Sequence, residues 1–331
     1  MERKCSLLLK YNDKDVTRAM MDHVTSFSYT DAASGESDSI SIEIGDKTHK
    51  WSDGWMPDEK DSIYAQVTTT NWHRDRDRSR LVFGTFQIDD LSVSGNPRSL
   101  SIGAISGPVQ DGFRETERTK TWQHTNLFAI AKKIGERYGL TVYYDAAAVL
   151  VKKCEQSGES DSAFLASMCE KYGLSMKAYR KKMIIFDREK YKKKPAAHTV
   201  SLDDVSEWSY TASLTRRYTG GLFTFSGTSK KKITVKIGSG NNIYRMTDSA
   251  DSAADAKRKL QAAVNRENHG KVKISLTMMG DASYASGQCV RITGAGSKIS
   301  GKYYIDSVTH QIDGSGGYTM TLDLSKVFEA I

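Results

Sequence analysis

One phrase occurs twice near the middle of the chain and limits what can form around it. Glu136-Arg137-Tyr138-Gly139-Leu140 returns as Glu170-Lys171-Tyr172-Gly173-Leu174, 34 residues later. Each copy closes a helical pattern. Leu127, Ile130, Ala131, Ile134 and Tyr138 recur at helical spacing in the first, and Leu165, Met168, Cys169 and Tyr172 in the second. Glycine then stops the helix, because it accepts the left-handed conformation that a C-cap needs. Leu140 and Leu174 each lead into a short extended run, Thr141 to Tyr144 and Ser175 to Tyr179. The unit is helix, glycine stop, strand. A solenoid of paired helices can share this period. It is rejected here, because there are two copies only and each helix runs into a strand.

The flanks follow a period of two, the mark of half-buried antiparallel strands. Before the doubled unit, Ile40, Ile42 and Ile44 alternate with Ser41 and Glu43; Ile63, Ala65 and Val67 alternate, then Phe86 and Ile88, then Leu100, Ile102 and Ala104. Turns are expected at Ser34-Gly35, Asp53-Gly54 and Gly95-Asn96-Pro97. The polar stretch Asn71 to Arg80 reads as an exposed hairpin tip. After the unit, Trp208, Tyr210 and Ala212 alternate, as do Ile233, Val235 and Ile237, and finally Tyr318, Met320, Leu322 and Leu324. Short strands so spaced suggest a barrel or a sandwich. Asp248 to Asn268 interrupts them with an alanine-rich helix, acidic toward its start and basic further on.

At 331 residues the chain exceeds what one core usually supports, so two or three domains are expected. The expected fold class is α+β, mainly β. Its divisions are a first β domain at 1–108, closed by Gly107-Pro108; an α+β module with internal duplication at 109–198; and a second β domain at 199–331 with a helical insertion at about 248–268. In the module, Lys181-Lys182 is read as a hairpin turn with Met183 to Phe186 returning, and Lys192 to Ala196 as a linker.

No apolar run is long enough to span a membrane, and the stretch at Leu7, Leu8 and Leu9 is short for a signal peptide. Synthesis in a cytoplasm and no membrane insertion are expected. Cys5, Cys154, Cys169 and Cys289 are scattered without CxxC spacing, which suits reduced thiols. The net charge is +8, and ten Lys or Arg crowd between Lys171 and Lys194 against Asp187 and Glu189. Such a run suggests a polyanion partner, or merely a solvated face, since regular aromatic interleaving is missing.

Reactive constellations are weak. Cys154 lies beside Glu155, and the chain holds seven His, so a Cys–His hydrolase can be drawn. But Cys169 falls on the apolar stripe of the second helix, and Cys154 ends an extended run, so both read as packing. Glu155 and Glu159 could be paired as a glycosidase dyad, although a strand or loop fixes no separation between them. His310 sits in a β run and reads as a satisfied histidine. Gly294-Ala295-Gly296 is a hairpin turn, because no third glycine or helix follows. No zinc spacing or P-loop is present. No catalytic, cofactor-binding or metal residue is assigned. Two β regions around an α+β module suit a structural or docking protein.

Several stretches together resemble the phage late control gene D family, the central baseplate hub of contractile tails, which also includes the hub part of the valine-glycine-repeat spike proteins of type VI secretion. The middle carries it most specifically: Gln156, Glu159-Ser160-Asp161, Phe164-Leu165 and Tyr172-Gly173-Leu174 match the family's glutamine, "ESD", "FL" and "YGL" signature. Ser160 or Asp161 would cap the second helix. Ser300 to His310 and Gly316 to Leu322 are similar to its closing hairpin; Gly35 to Ile40 and Phe83 to Asp89 are similar to its first barrel. The resemblance covers almost the whole chain.

The resemblance implies two tube-like antiparallel β-barrels per subunit and a homotrimer. Three subunits would give a ring of six similar barrels, adapting a sixfold tail tube to a threefold central spike. Joined sheet edges around a pore would leave no edge free. Partners so implied are the spike, the tail tube, other baseplate proteins and the tape-measure protein, with DNA only in passage through the lumen, where basic residues would help. The location implied is the tail baseplate of a virion or tail-like particle, made in the bacterial host cytoplasm. The sequence ends at Ile331, soon after the last strand, with no oligosaccharide-binding-fold linker, spike or lysozyme domain, so the spike is expected on a separate polypeptide. Two other functions compete: a cell-wall hydrolase acting during injection, and a polyanion-binding β protein.

Overall fold

A computed structural model describes residues 2–35, 37–58, 61–106, 112–179, 181–213, 217–226, 232–314 and 317–328. Gly107-Pro108, Gly316 and Ile331, which figure in the expectations above, lie outside them. The first β region holds β1 (Lys4–Tyr11), the two-residue β2 (Lys14–Asp15), a short α1 (Thr17–Met21), β3 (Val24–Ala32), β4 (Ser39–Gly45), β5 (Ser62–Thr70), β6 (Arg78–Ser94) and β7 (Ser99–Ile105). The middle holds β8 (Glu117–Asn126), α2 (Leu127–Arg137), β9 (Thr141–Asp145), β10 (Leu150–Ser160), α3 (Asp161–Lys171), β11 (Leu174–Tyr179), β12 (Lys182–Asp187) and α4 (Arg188–Lys193). Then come β13 (His198–Ser201), β14 (Glu207–Ala212), β15 (Gly220–Ser226), β16 (Lys232–Gly238), β17 (Ile243–Met246), α5 (Ala253–Asn268), β18 (Val272–Met279), β19 (Cys289–Thr293), β20 (Gly301–Asp313) and β21 (Gly317–Lys326).

The fold is α+β and mainly β. Thirteen strands from both ends of the chain form one sheet, in the order β14-β18-β21-β20-β3-β4-β7-β6-β5-β1-β2, with β19 and β13 branching from β20. The seam is the antiparallel pair β3–β20, in register from Ala32 opposite Ser307 to Ser26 opposite Asp313. Separate sheets are expected from sequence, because a period of two tells which residues face inward and not which strand lies alongside. The seam joins them. Among the described residues the path ends at β14 on one side and at β1 and β2 on the other.

Inward residues of β1 and β3–β7 enclose one core, in which Phe27, Ile42, Ile44, Phe83, Leu100 and Ile102 are fully buried. Burying a side chain of this size contributes roughly 1.5–3 kcal/mol. The sheet curls so far that Tyr318 of β21 joins this core. There it meets Trp72 from the β5–β6 tip, whose indole N–H donates to Gly280 O at 2.6 Å. A second core lies under the other half, around Leu276, Val290, Tyr303, Val308 and Leu322.

The doubled unit forms as its pattern predicts. Asn126 caps α2 by accepting from Ala129 N, and Ser160 caps α3 by accepting from Ala163 N. Gly139 and Gly173 follow with φ of 61° and 72°. Tyr138 and Tyr172 are buried at the helix ends, beside Leu127, Ile130, Ile134, Leu165 and Cys169. The two strands that follow, β9 and β11, flank the same partner β12, but β9 pairs with it in parallel and β11 antiparallel. Repeated sequence therefore does not give repeated pairing.

Two local differences have physical causes. The insertion helix begins at Ala253, because Ser252 accepts from Asp255 N and so fixes its start. It covers the three-stranded sheet β16-β15-β17 through Leu260 and Val264 against Phe223, Phe225 and Ile237. The lysine-rich stretch expected as a linker instead continues α4 to Lys193. Asp187 caps that helix, and the buried Lys192 pairs with Glu189 at 2.7 Å.

Candidate assembly face

Facing away from the cores, the large sheet presents mostly small hydroxyl residues. Alternation makes this legible strand by strand. Thr277, Thr321, Thr309, Thr30 and Ser39 stand side by side across β18, β21, β20, β3 and β4. The next row runs Thr319, Gln311, Ser28, Ser41 and Gly103. A third runs Asp313, Ser26, Glu43, Ser101 and Ser92. The hydroxyls bond to one another across the seam and beside it: Thr30 to Thr309 at 3.2 Å, Thr277 to Thr321 at 3.0 Å. Asp323 accepts from Ser275 at 2.8 Å and from Ser307 at 2.9 Å. In these rows the face is polar, its charged members Glu43 and Asp313, with Asp323 beside them, are acidic, and Met279 stands at the end of the second row opposite Thr319. The face can form a smooth wall or a wet contact, and no reactive group is concentrated on it.

The β14 edge differs. Most of its residues are exposed, and Trp208, which points to the core side opposite Leu276, remains 41% exposed. An edge strand with an uncovered tryptophan offers both main-chain pairing and apolar area.

The doubled unit is locked to this sheet by a buried ionic cluster. Lys177 of β11 pairs with Asp31 of β3 and, at 2.8 Å, with Asp38 in the loop that follows. Asp31 also accepts from the Ser286 amide at 2.8 Å and hydroxyl at 2.7 Å, and Asp38 from the Tyr29 hydroxyl at 3.1 Å. Burial pushes the Asp38 carboxyl up to about 6 against the pull of Lys177. Burial also opposes the charge on Lys177, but Asp31 and Asp38 outweigh it and raise that amine. Arg188 adds bonds to Ser175 and Ser34.

A second cluster explains why the "ESD" signature sits where it does. Asp161, at the start of α3, is fully buried. It accepts from Gln156 at 2.9 Å and Tyr138 at 2.7 Å, and pairs with Arg137 and, at 3.3 Å, Arg118. Burial alone would raise its pKa, but these bonds together lower it. The glutamine, the aspartate and the tyrosine ending α2 are one hydrogen-bonded unit, and the serine cap is the aspartate's chain neighbour.

The other sequence candidates are dispersed. Burial pushes the Cys5 and Cys169 thiols up to about 11 and 12 and also raises Cys154 and Cys289, the reverse of an activated nucleophile. Glu155 is exposed, and a bond to Lys153 lowers its carboxyl; Glu159 lies beyond a bulge in the β8–β10 ribbon. His310 is buried with Nδ1 2.9 Å from the Tyr318 hydroxyl, and burial pushes its ring down to about 4. Gly294 to Gly296 turn between β19 and β20. Among the described residues no group of three His, Cys, Asp or Glu could hold a metal ion.

The basic run is not a basic patch. Lys192 is buried and Lys177 partly so, both in ion pairs; Lys171 pairs with Asp248, and Lys190 pairs with Asp145. Lys182 and Lys194 lie over the rings of Tyr143 and Tyr191. Sequence could not reveal this, because every partner outside α4 is remote along the chain.

A wide hydroxyl-faced sheet with an exposed edge and a firmly braced side module suits an assembly protein. The chain belongs to the phage tail baseplate hub (GPD) family, whose model matches residues 113–316. It is 23% identical to the probable baseplate hub protein of Escherichia phage 186, over 96% of this chain and 92% of that one. Its fold is similar to that of a tail protein from Neisseria meningitidis, with a TM-score of 0.73, 12% identity and coverage of 97% and 96% of the two chains. An Escherichia coli component of the type VI secretion system shares the fold at a TM-score of 0.56 and 12% identity, covering all of this chain and 78% of that one.

Proposed function

We propose that this baseplate hub protein works as a homotrimeric adaptor between a sixfold tail tube and a threefold spike, by binding alone and without catalysis. The observation that carries the proposal is the continuous hydroxyl face across the β3–β20 seam. A channel wall for a sliding polymer should lack apolar patches and cationic anchors, and Ser/Thr rows with the acidic Glu43, Asp313 and Asp323 meet that need. Basic residues are therefore not its main lining, and passage of DNA or tape measure would depend on weak adhesion. The three sheets would join at the β14 edge and the β1–β2 edge, burying Trp208 and removing the free ladder positions. The doubled unit would stand outside the ring as a brace, and baseplate components would dock there. The location is the tail baseplate, after synthesis in the host cytoplasm. The test is mass measurement in solution, alone and with the spike protein. A trimer in either sample is expected; a monomer in both would sink the proposal. Substituting Trp208→Ser should weaken the trimer.

A further inference from the structure

The tip that joins β5 to β6 carries four arginines at alternate positions, Arg74, Arg76, Arg78 and Arg80, all exposed. Among the described residues none of their guanidinium groups has an ion pair or hydrogen bond. The backbone beneath them is fixed. Asp77 accepts from the amides of Trp72, His73 and Arg74 at 2.6, 2.8 and 3.1 Å. Asn71 accepts from Arg76 N at 2.9 Å. The buried Trp72 anchors the tip to Gly280. Arg78 and Arg80 lie opposite Thr70 and Thr68 on β5, and Lys4 lies opposite Thr70 on β1, so the three share the outward side of the sheet.

We propose that this tip is a rigid docking finger for a protein surface bearing carboxylates. A fixed loop loses little freedom on binding, and each guanidinium fork matches a carboxylate with two parallel bonds. Nucleic acid fits less well. Asp75 interrupts the row, Asp281 stands 3.5 Å from the His73 ring at its base, and the indole of Trp72 is turned inward, unable to stack on a base. The surface is separate from the β14 edge, and its four arginines lie off the β1–β2 edge, so it stands whether or not the trimer forms.

The test uses the full chain and fluorescence anisotropy with two probes, a short labelled polyglutamate peptide and a short labelled DNA duplex. Binding to polyglutamate is expected, weakened about tenfold or more by Arg74→Gln/Arg76→Gln/Arg78→Gln/Arg80→Gln and in part by Arg78→Gln/Arg80→Gln alone. Lys181→Gln/Lys193→Gln, in the unrelated basic run, should leave it unchanged. Circular dichroism should find all variants folded, since the substituted side chains are exposed. No binding of the peptide, equal binding by the fourfold variant, or tighter binding of the duplex than of the peptide would each overturn the proposal.

Discussion

Lys177→Met should unlatch the doubled unit from the sheet in a pH-dependent way. Among the described residues Lys177 is the one cation paired with Asp31 and Asp38, and the Asp38 side chain is fully buried. Methionine keeps the stem and removes the charge. Stranding a buried carboxylate in this way costs about 3–5 kcal/mol. The sign with pH follows from Asp38, whose pKa is already raised to about 6 in the native protein. Between about pH 4 and that value, the folded state holds a proton that the unfolded chain has released, so this group adds stability as pH falls through 6. Without Lys177 the carboxyl rises further and is neutral at pH 5, where the stranded charge disappears. Equilibrium urea unfolding followed by circular dichroism should therefore give the full loss at pH 7 and less than half of it at pH 5. Asp38→Asn added to Lys177→Met should recover much of the loss. Equal losses at both pH values, or no recovery in the double variant, would refute the reasoning.

Asp161→Asn should destabilise the doubled unit by roughly 2 kcal/mol at neutral pH. Its pKa is lowered in the fold, so the wild-type advantage is complete above the ordinary carboxylate range and vanishes as pH falls through the folded value; acid titration of both proteins checks this. His310, pushed from 6.5 to about 4 by burial, is held neutral, so the fold should lose roughly 3 kcal/mol as pH falls across that interval. His310→Phe should flatten that part of the stability profile. Gly135→Ala would place a methyl group 2.7 Å from Val142 Cγ2 and 3.0 Å from Leu140 O, and should cost about 1–3 kcal/mol in thermal unfolding despite alanine's better helix propensity.

Local physics explains which features were legible. The cap at Ser160, the glycine stops and the inward rows of isoleucines depend on neighbours within a few residues, and all are readable in sequence. The ionic locks are not. Lys177 and Asp31 are 146 residues apart, and nothing in a lysine-rich run says which of its members will be buried. The same holds for the hydroxyl face: each Ser or Thr is an ordinary outward residue on its own strand, and a continuous surface emerges only once β3 lies against β20. The arginine tip was readable as an exposed hairpin end, but its rigidity rests on Gly280, far away in sequence.

The β3–β20 seam also sets a timetable. Thr30 and Thr309, bonded across it, are separated by 279 positions. A ribosome adding roughly 5–20 residues per second makes the second strand about 15–55 seconds after the first. Throughout that interval the outer side of β3 is an unsatisfied ladder edge, while the doubled unit, whose contacts are mostly local, can already pack. The nascent chain thus passes its most aggregation-prone period with its centre folded and its first sheet unfinished. The partner that ends this exposure is nearly the last strand to be translated.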